Sequence, residues 1–343
     1  MTIKDIAKEC GYAVGTVSRV LNRNPNVSPE AREKVMSVVN KYDFVLNNSA
    51  RLLKSQRSHT IAVILKGTST ILLNNLYGII QGRMENLPYL LRAVVIDEYD
   101  DEVAAANRVM FEQRPVGIIF LGGNPGDHPE ELRKITVPSV LITNSMDKDD
   151  FPLVSSVTTD DVAGAECCAR YLIENGHKNI CVIGGDLESS SINVKRYRGF
   201  QNAMEAAGLP FDYEKSYHIS KYDYGDGAKA AKALLQKNPD LTAIFTMSDL
   251  MAIGACRQLA DMGLRVPDQV SVTGYDGNIV TEYYTPRLTT IRQDETALAI
   301  RGLDILLERI GQDAEATQEP LPPVQEKLPF SFVQGESVAR LLS

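Results

Sequence analysis

The chain has 343 residues and is acidic, with 44 Asp and Glu against 36 Lys and Arg and a formal net charge of −8 at pH 7. An acidic chain binds polyphosphates only where basic residues are gathered, because neutralising phosphates supplies most nonspecific affinity for nucleic acids. Residues 1–60 alone meet that condition, with ten Lys and Arg against five Asp and Glu, so charge argues against nucleic-acid binding by the rest of the chain.

Two short helical patterns open the chain. Apolar residues recur at helical spacing in residues 3–10 and again in 14–21, and Gly11 ends the first run. Ser28 and Pro29 suit the cap and the first position of a third helix. The positions expected to face inward are Ile3, Ile6, Ala7, Val14, Val17, Leu21, Val35, Val38 and Val39. We therefore predict three short helices around one small core.

A helix pair joined by so short a turn is the geometry that places its second helix in a DNA major groove. The side chains near the start of that helix, Val14, Gly15 and Arg19, would then lie against base edges. Any small three-helix domain can show the same spacing. The excess of basic residues within positions 1–60 is what favours DNA binding as the interpretation.

Residues 47–58, NNSARLLKSQRS, follow as a polar, basic linker. The segment is too short to be a stable helix alone. If it orders only on DNA, the cost of that ordering would couple DNA affinity to whatever holds the linker.

The larger remainder alternates apolar runs with amphipathic segments. The runs are TIAVIL, AVVID, VGIIFL, SVLIT, NICVIG, TAIFTM and VSVTGY. Continuous Val and Ile runs are typical of parallel strands buried on both faces, with helices as the crossovers. Seven such runs over some 280 residues are more than a single hydrophobic core usually contains, so the sequence predicts a parallel α/β body of two lobes.

Polar residues follow several of these strands, where open α/β sheets bind their ligands. Ser248 and Asp249 follow TAIFTM, Asp276 follows VSVTGY, and Gln293 ends the later TTIRQ stretch. The alternative is local: Asp249 could cap the following helix, and Asp276 could belong to a turn.

The sequence offers little for catalysis, metal or cofactor. The four histidines are scattered, and the five cysteines show no CxxC spacing, which indicates reduced thiols and a cytoplasmic protein. The glycines of FLGGNPGD and VIGGDLE match no phosphate-binding loop. The N-terminus lacks the apolar core of a signal peptide, and no apolar run is long enough to span a membrane. We predict no enzyme, no cofactor, no metal and no membrane contact.

Several segments closely resemble the lactose/galactose-repressor family of bacterial transcriptional regulators. In the N-terminal part these are TIKDIAKECG, TVSRVLN, VSPEAREKV and NNSARLLKS. Further on they are ENGHKNICVIGG, RYRGFQNAMEAAG, SDLMAIGA, VPDQVSVTGYDG and TPRLTTIRQD, in the family's order and near its spacing.

The resemblance implies an all-α helix-turn-helix headpiece followed by an α/β, two-lobed, periplasmic-binding-protein-like effector domain with parallel sheets. It implies domains at 1–46, 47–59 (a hinge helix) and 60–343. The lobes would comprise about 60–160 with 291–322, and about 161–289 with 325–343. Chain crossings would lie near 158–162, 288–293 and 320–328.

The resemblance also implies a homodimer on a pseudo-palindromic double-stranded operator. Leu53 would pry open a central base step in the minor groove. The implied DNA-binding residues are Thr2, Val14, Gly15, Thr16, Ser18, Arg19, Asn22, Ser28, Asn48, Arg51, Leu53 and Lys54. The implied effector-binding residues are Ile71, Leu72, Arg196, Tyr222, Ser248, Asp249, Asp276 and Gln293.

This chain departs from the family pattern in its headpiece and hinge. Leu46 stands where a proline usually starts the hinge helix, so the pre-set backbone angle is missing. Ala13 replaces a capping serine before the second helix, and Gly15 removes a side chain from a base-reading position. We therefore expect Arg19, Leu53 and Lys54 to carry more of the sequence preference.

The predicted function is a DNA-binding regulator, a repressor, whose operator affinity is shifted by a small effector between the lobes. Arg donors facing carboxylate acceptors suit a neutral sugar, because each hydroxyl both donates and accepts. Purine and sugar-phosphate effectors stay open, as does a global regulator controlled by a partner phosphocarrier protein. A sugar-binding protein with no regulatory role is the alternative of another class.

Overall fold

The structure is a computed structural model that describes residues 3–21, 27–42, 59–67, 70–146, 151–188, 190–314 and 322–341. The chain divides into two compact units, residues 1–58 and 59–343. Each unit is described by itself.

The first unit contains the three predicted helices, α1 (Ile3–Cys10), α2 (Val14–Leu21) and α3 (Pro29–Lys41). The Ser28 hydroxyl accepts a hydrogen bond from the Ala31 N–H at 3.3 Å and so caps α3, as predicted. Ile6, Val17 and Val35 are fully buried in the core. Among the predicted core positions whose burial the structure describes, Val14 is the exception, because it is 41% exposed at the start of α2.

The second unit alternates strands and helices along the chain. Its strands are β1 (Thr60–Lys66), β2 (Leu90–Ile96), β3 (Gly117–Leu121), β4 (Ser139–Ile142), β5 (Val154–Thr159), β6 (Ile180–Gly184), β7 (Tyr217–Ile219), β8 (Ala243–Thr246), β9 (Ser271–Thr273), β10 (Thr290–Gln293), β11 (Gln325–Leu328) and β12 (Phe330–Val333). Its helices are α4 (Ile71–Met84), α5 (Glu102–Gln113), α6 (Pro129–Leu132), α7 (Asp161–Glu174), α8 (Ser191–Ala206), α9 (Tyr213–Ser216), α10 (Tyr224–Lys237), α11 (Asp249–Asp261), α12 (Val280–Tyr283) and α13 (Glu295–Ala314), with a 3₁₀ turn at Pro125–Asp127.

The first lobe is built on a parallel sheet in the order β11-β5-β4-β3-β1-β2. Side chains of α4 and α13 form the apolar core on one face, and those of α5 and α6 contribute to the core on the other. The central strands are therefore buried on both sides, which explains their continuous apolar runs.

The second lobe is built on a parallel sheet in the order β7-β6-β8-β9. Side chains from α7, α8, α10 and α11 complete its apolar core. Each of the seven predicted strand runs forms a strand of one of these two sheets, and the prediction of a two-lobed parallel α/β body is confirmed.

The third crossing differs from the prediction, which assigned residues 325–343 to the second lobe. Strand β11 instead pairs with β5 in the first sheet, with Gln325 opposite Ser156, while β12 pairs with β10. The chain therefore crosses at Pro329. The sequence QEKL carries no apolar run because β11 is an edge strand with alternate side chains exposed.

Helices α7 and α8 approach each other closely at a glycine. A Cβ added at Gly199 would overlap the backbone oxygen of Val162, which cannot move without shifting α7. Gly82 in α4 offers a matched contrast, because it is exposed and has nothing within 4 Å of such a Cβ.

We expect Gly199→Ala to lower the free energy of unfolding by about 1–3 kcal/mol, because the added methyl overpacks a helix contact. The control Gly82→Ala should leave stability unchanged or raise it by about 0.5–1 kcal/mol, since Ala favours the helix. Urea unfolding followed by circular dichroism measures both. Equal stability of the two variants would contradict the close packing.

Candidate functional site

A cleft of about 570 Å³ lies at the carboxyl ends of the strands, between the two lobes of the second unit. Loops after β1, β2, β3 and β4 line it on one side, and loops after β6, β7 and β9 line it on the other. This is where ligands bind in open α/β sheets. Of the predicted effector residues, Leu72, Arg196, Tyr222 and Asp276 line the cleft.

Arg196 is fixed in one wall of the cleft by charge. Its Nε lies 2.9 Å from an Asp161 carboxylate oxygen, and its Nη2 lies 3.3 Å from Asp276 Oδ1. Its Nη1 donates to the Met247 carbonyl oxygen at 2.5 Å, and its guanidinium lies 3.8 Å from the Tyr275 ring centroid. Burial alone would lower the pKa of Arg196, but the two carboxylates raise it above its ordinary value.

Asp276 carries the second charge of this wall and has an unusual backbone. Its φ of 109° lies in the region that favours glycine, and its carboxylate accepts from Gln293 Nε2 at 3.0 Å. Burial raises the pKa of Asp276, although the nearby Arg196 opposes that shift.

Tyr222 and Leu72 face the cleft from opposite lobes. The Tyr222 hydroxyl donates to Asn193 Oδ1 at 2.6 Å, and Asn193 Nδ2 donates to the Asp186 carbonyl oxygen at 2.8 Å. Burial raises the pKa of Tyr222 to about 12. Leu72 is buried near the start of α4, while its neighbour Ile71 is not among the lining residues. The cleft thus combines aliphatic and phenolic surface with a few fixed polar groups, as small-molecule sites do.

Gln293 does not line the cleft, but it connects two of the places where the chain crosses between the lobes. Its Oε1 accepts from Thr159 Oγ1 at 2.9 Å, while its Nε2 donates to Asp276. Thr159 ends β5 at the first crossing, and Gln293 ends β10 before the second. A ligand that contacts Asp276 is therefore connected, through two hydrogen bonds by way of Gln293, to Thr159 at the first crossing between the lobes.

Ser248 and Asp249 also lie behind the lining. Ser248 Oγ accepts from the Leu250 N–H at 3.2 Å and caps α11, the local role that the sequence left open for Asp249. Asp249 Oδ1 accepts from Thr290 Oγ1 at 2.6 Å, and its Oδ2 accepts from the Asn278 N–H at 2.7 Å. Burial and the neighbouring Asp276 raise the pKa of Asp249. In this structure Asp249 holds the loop after β9 against β10.

The sequence did not single out two ion pairs in the cleft. Lys66 Nζ lies 2.6 Å from Glu102 Oε2, and Glu102 Oε1 accepts from the Asn124 N–H at 2.6 Å. Lys221 Nζ of the second lobe lies 3.4 Å from Glu98 Oε1 of the first and 4.7 Å from the Tyr99 ring centroid. Lys66 ends β1, and Glu98 and Glu102 follow β2. The rule used for Asp276, polar residues after a parallel strand, would have singled out Lys66, Glu98 and Glu102 as candidates, but not their ion-pair partners.

Helix α2 of the first unit carries several of the residues that the sequence predicted to contact DNA. Gly15 and Arg19 are exposed, and Thr16 and Ser18 are partly exposed, while Val17 and Val20 bury the opposite face. Val14, at the start of α2, is 41% exposed. Ser28 caps α3, and the remaining predicted DNA contacts, together with Leu46, lie outside the described residues. Those outside are Thr2, Asn22, Asn48, Arg51, Leu53 and Lys54.

The described residues contain no group of three or more His, Cys, Asp or Glu that could hold a metal ion. Among the described helices, none has the length and apolar character needed to cross a membrane. His177 is buried, with its ring nitrogens 3.1 Å from Thr242 Oγ1 and 3.0 Å from the Ala339 carbonyl oxygen. It therefore links the residues just before β6 and β8 to the C-terminal segment.

Comparison with known proteins matches both units. Residues 2–47 match the family model of bacterial regulatory proteins, lacI family, and residues 169–338 match that of the periplasmic binding protein-like domain. The transcriptional regulator MalR of Clostridium butyricum is 34% identical over 92% of this chain and 94% of its own. The catabolite control protein A of Priestia megaterium is 33% identical over 93% and 96%.

A solved complex of the transcriptional regulator CelR with cellobiose is 26% identical and superposes with a TM-score of 0.72, covering 98% of this chain and 99% of that one. The matches therefore extend over the headpiece and both lobes. The chain belongs to the lacI family of bacterial regulatory proteins.

Proposed function

We propose that this protein is a dimeric repressor that binds a pseudo-palindromic operator through α2. Its affinity for that operator changes when a sugar binds in the cleft. The observation that carries the proposal is the fixed array of Arg196, Asp276 and Tyr222, which faces a cleft between lobes in a chain with a basic helix-turn-helix unit. The relatives that are named transcriptional regulators support the DNA-binding part, and the cellobiose complex of CelR supports a sugar. Such a protein acts in the cytoplasm and needs no catalysis.

The mechanism couples lobe closure to the hinge. A sugar hydroxyl that donates to Asp276 would alter the hydrogen bond between Gln293 and Asp276, and through it the hydrogen bond between Thr159 and Gln293. The altered bonds would favour one relative position of the lobes. That position would determine whether the paired hinges can order with Leu53 between base steps. A coupling of about 1–3 kcal/mol between the sites would change operator affinity some 5- to 150-fold.

Control by a partner phosphocarrier protein is the second candidate. The 33% identity to a protein named for catabolite control, over 93% of this chain, favours the global-regulator alternative to which such a partner belongs. Calorimetry with a sugar panel, with and without candidate phosphocarrier proteins, separates the two. A sugar response that is complete without the partner would exclude it.

We expect Arg19→Ala to weaken operator binding by about 1–3 kcal/mol, because Arg19 lies on the exposed face of α2 where base contacts form. The control Arg265→Ala removes an exposed arginine of the second lobe that pairs with Asp268, and should leave binding unchanged. Fluorescence anisotropy with DNA from the gene's own neighbourhood, at fixed salt, measures both. Unchanged binding and repression by the Arg19 variant would favour a sugar-binding protein whose headpiece only tethers it.

Leu53→Ala tests the hinge. We expect weaker operator binding at equal salt, since the smaller side chain cannot hold a base step open. The salt dependence of binding should stay the same, because no phosphate contact is removed. Operator affinity equal to that of the parent would rule out the wedge mechanism.

Asp276→Asn should abolish the effector response and leave operator binding intact, because the variant loses the carboxylate that faces the cleft. Burial raises the pKa of Asp276, so the carboxylate takes up a proton at a higher pH than an ordinary Asp. Effector affinity of the parent should therefore fall on mild acidification.

Calorimetry from neutral to mildly acidic pH measures this fall. The control Asp268→Asn changes a carboxylate of an exposed pair in the same lobe and should retain both affinity and its pH dependence. An Asp276→Asn protein that still responds to the effector would remove Asp276 from the site.

A further inference from the structure

The lining of the cleft is strongly acidic. Eight of its described side chains are Asp or Glu, whereas three are Lys or Arg. Asp226 is itself paired with Lys229 at 2.7 Å, but an excess of carboxylates remains. A cleft lined mainly by one sign of charge focuses its field on any ligand that enters.

Each of those three cations is already neutralised by a carboxylate. Lys66 pairs with Glu102 at 2.6 Å, and Lys221 pairs with Glu98 at 3.4 Å. Arg196 lies between Asp161 and Asp276. A phosphate or carboxylate would have to displace one of these partners or lie unpaired beside several carboxylates. Displacement is costly where the pair is buried, as at Arg196 and at Glu102.

Two helix N-termini are the features that could favour an anion. The cap residues of α4 and α8, Thr70 and Ser190, line the cleft and make no capping hydrogen bond with their side chains. Each N-terminus amounts to roughly half a positive charge, which does not offset the carboxylates. Their N–H groups can instead donate to hydroxyl oxygens.

Taking the proposed effector role of the cleft as given, we propose that the effector is an uncharged, polyhydroxylated molecule and that phosphorylated and carboxylated sugars are excluded. Paired carboxylates accept from its hydroxyls, the helix N-termini and Arg196 donate to them, and Leu72 with Tyr222 covers its apolar faces.

The test uses the full-length protein and calorimetry with matched ligands. A panel of neutral mono- and disaccharides is compared with the 6-phosphate and the sugar acid of each sugar in the panel. We expect each anionic partner to bind at least tenfold more weakly than the neutral sugar. Equal or tighter binding of the anionic partner would overturn the proposal while leaving a sugar effector in place.

A variant that removes the carboxylate partner of Lys66 tests the same proposal by changing the protein instead of the ligand. Glu102→Gln keeps an acceptor for Asn124 but frees the charge of Lys66. The ratio of 6-phosphate to neutral-sugar affinity should rise about tenfold at low ionic strength. The control Glu131→Gln, from an exposed pair with Lys134 outside the cleft, should leave the ratio unchanged.

A thermal melt first establishes that both variants fold. An unchanged ratio in folded Glu102→Gln would show that pairing of Lys66 does not exclude anions, and would overturn the charge argument. If a 6-phosphate or sugar acid binds the parent protein while its neutral sugar does not, the inference fails and the sugar effector stands. If no neutral sugar, 6-phosphate or sugar acid binds, the proposed sugar effector itself fails. Tight binding of a purine base in that case would identify the alternative effector class.

Discussion

The buried guanidinium of Arg196 organises the second unit. It emerges from α8, bonds to Asp161 at the start of α7, to Met247 after β8 and to Asp276 after β9, and it lies over the Tyr275 ring. A buried cation is tolerable only when opposite charges and hydrogen bonds surround it, so these contacts constrain one another. The same constraint places Asp276 and Arg196 in the cleft, with hydrogen-bonding capacity left for the effector that we propose. One cluster therefore contributes both to the stability of the second unit and to the recognition that we propose.

In the mechanism that we propose, an effector in the cleft acts on the lobes through polar contacts rather than through the apolar cores. Each lobe has its own core, whereas Gln293 and Thr159 connect Asp276 to the crossings. Hydrogen bonds can exchange partners at small cost in stability, while a close-packed core resists deformation. The lobes can thus respond to a ligand as rigid bodies. Additional contacts link them near the cleft, since Lys195 of α8 donates to Asn144 Oδ1 at 3.2 Å and to Ser145 Oγ at 2.8 Å.

Sequence reasoning succeeded where one residue and its near neighbours decide the outcome. The three headpiece helices follow from apolar spacing, Gly11 and the Ser28 cap, and the seven strands follow from continuous apolar runs. It failed for β11, whose QEKL sequence has no apolar run because it lies at a sheet edge. Asp249 shows the limit for the site. Position after a strand places Asp249 and Asp276 in the same region, but only packing decides that Asp276 faces the cleft and Asp249 faces Asn278 and Thr290.

The sequence by itself determined the order of the modules, the parallel α/β class and the concentration of basic charge at one end, because these depend on local spacing and composition. Tertiary structure alone decided which carboxylate neutralises which cation. Glu102 is 36 positions from Lys66, and Asp276 is 80 from Arg196, so their pairing arises from the meeting of strand ends that are distant along the chain. The charge that a ligand meets in the cleft is the sum of those pairings, and no local pattern in the sequence records it.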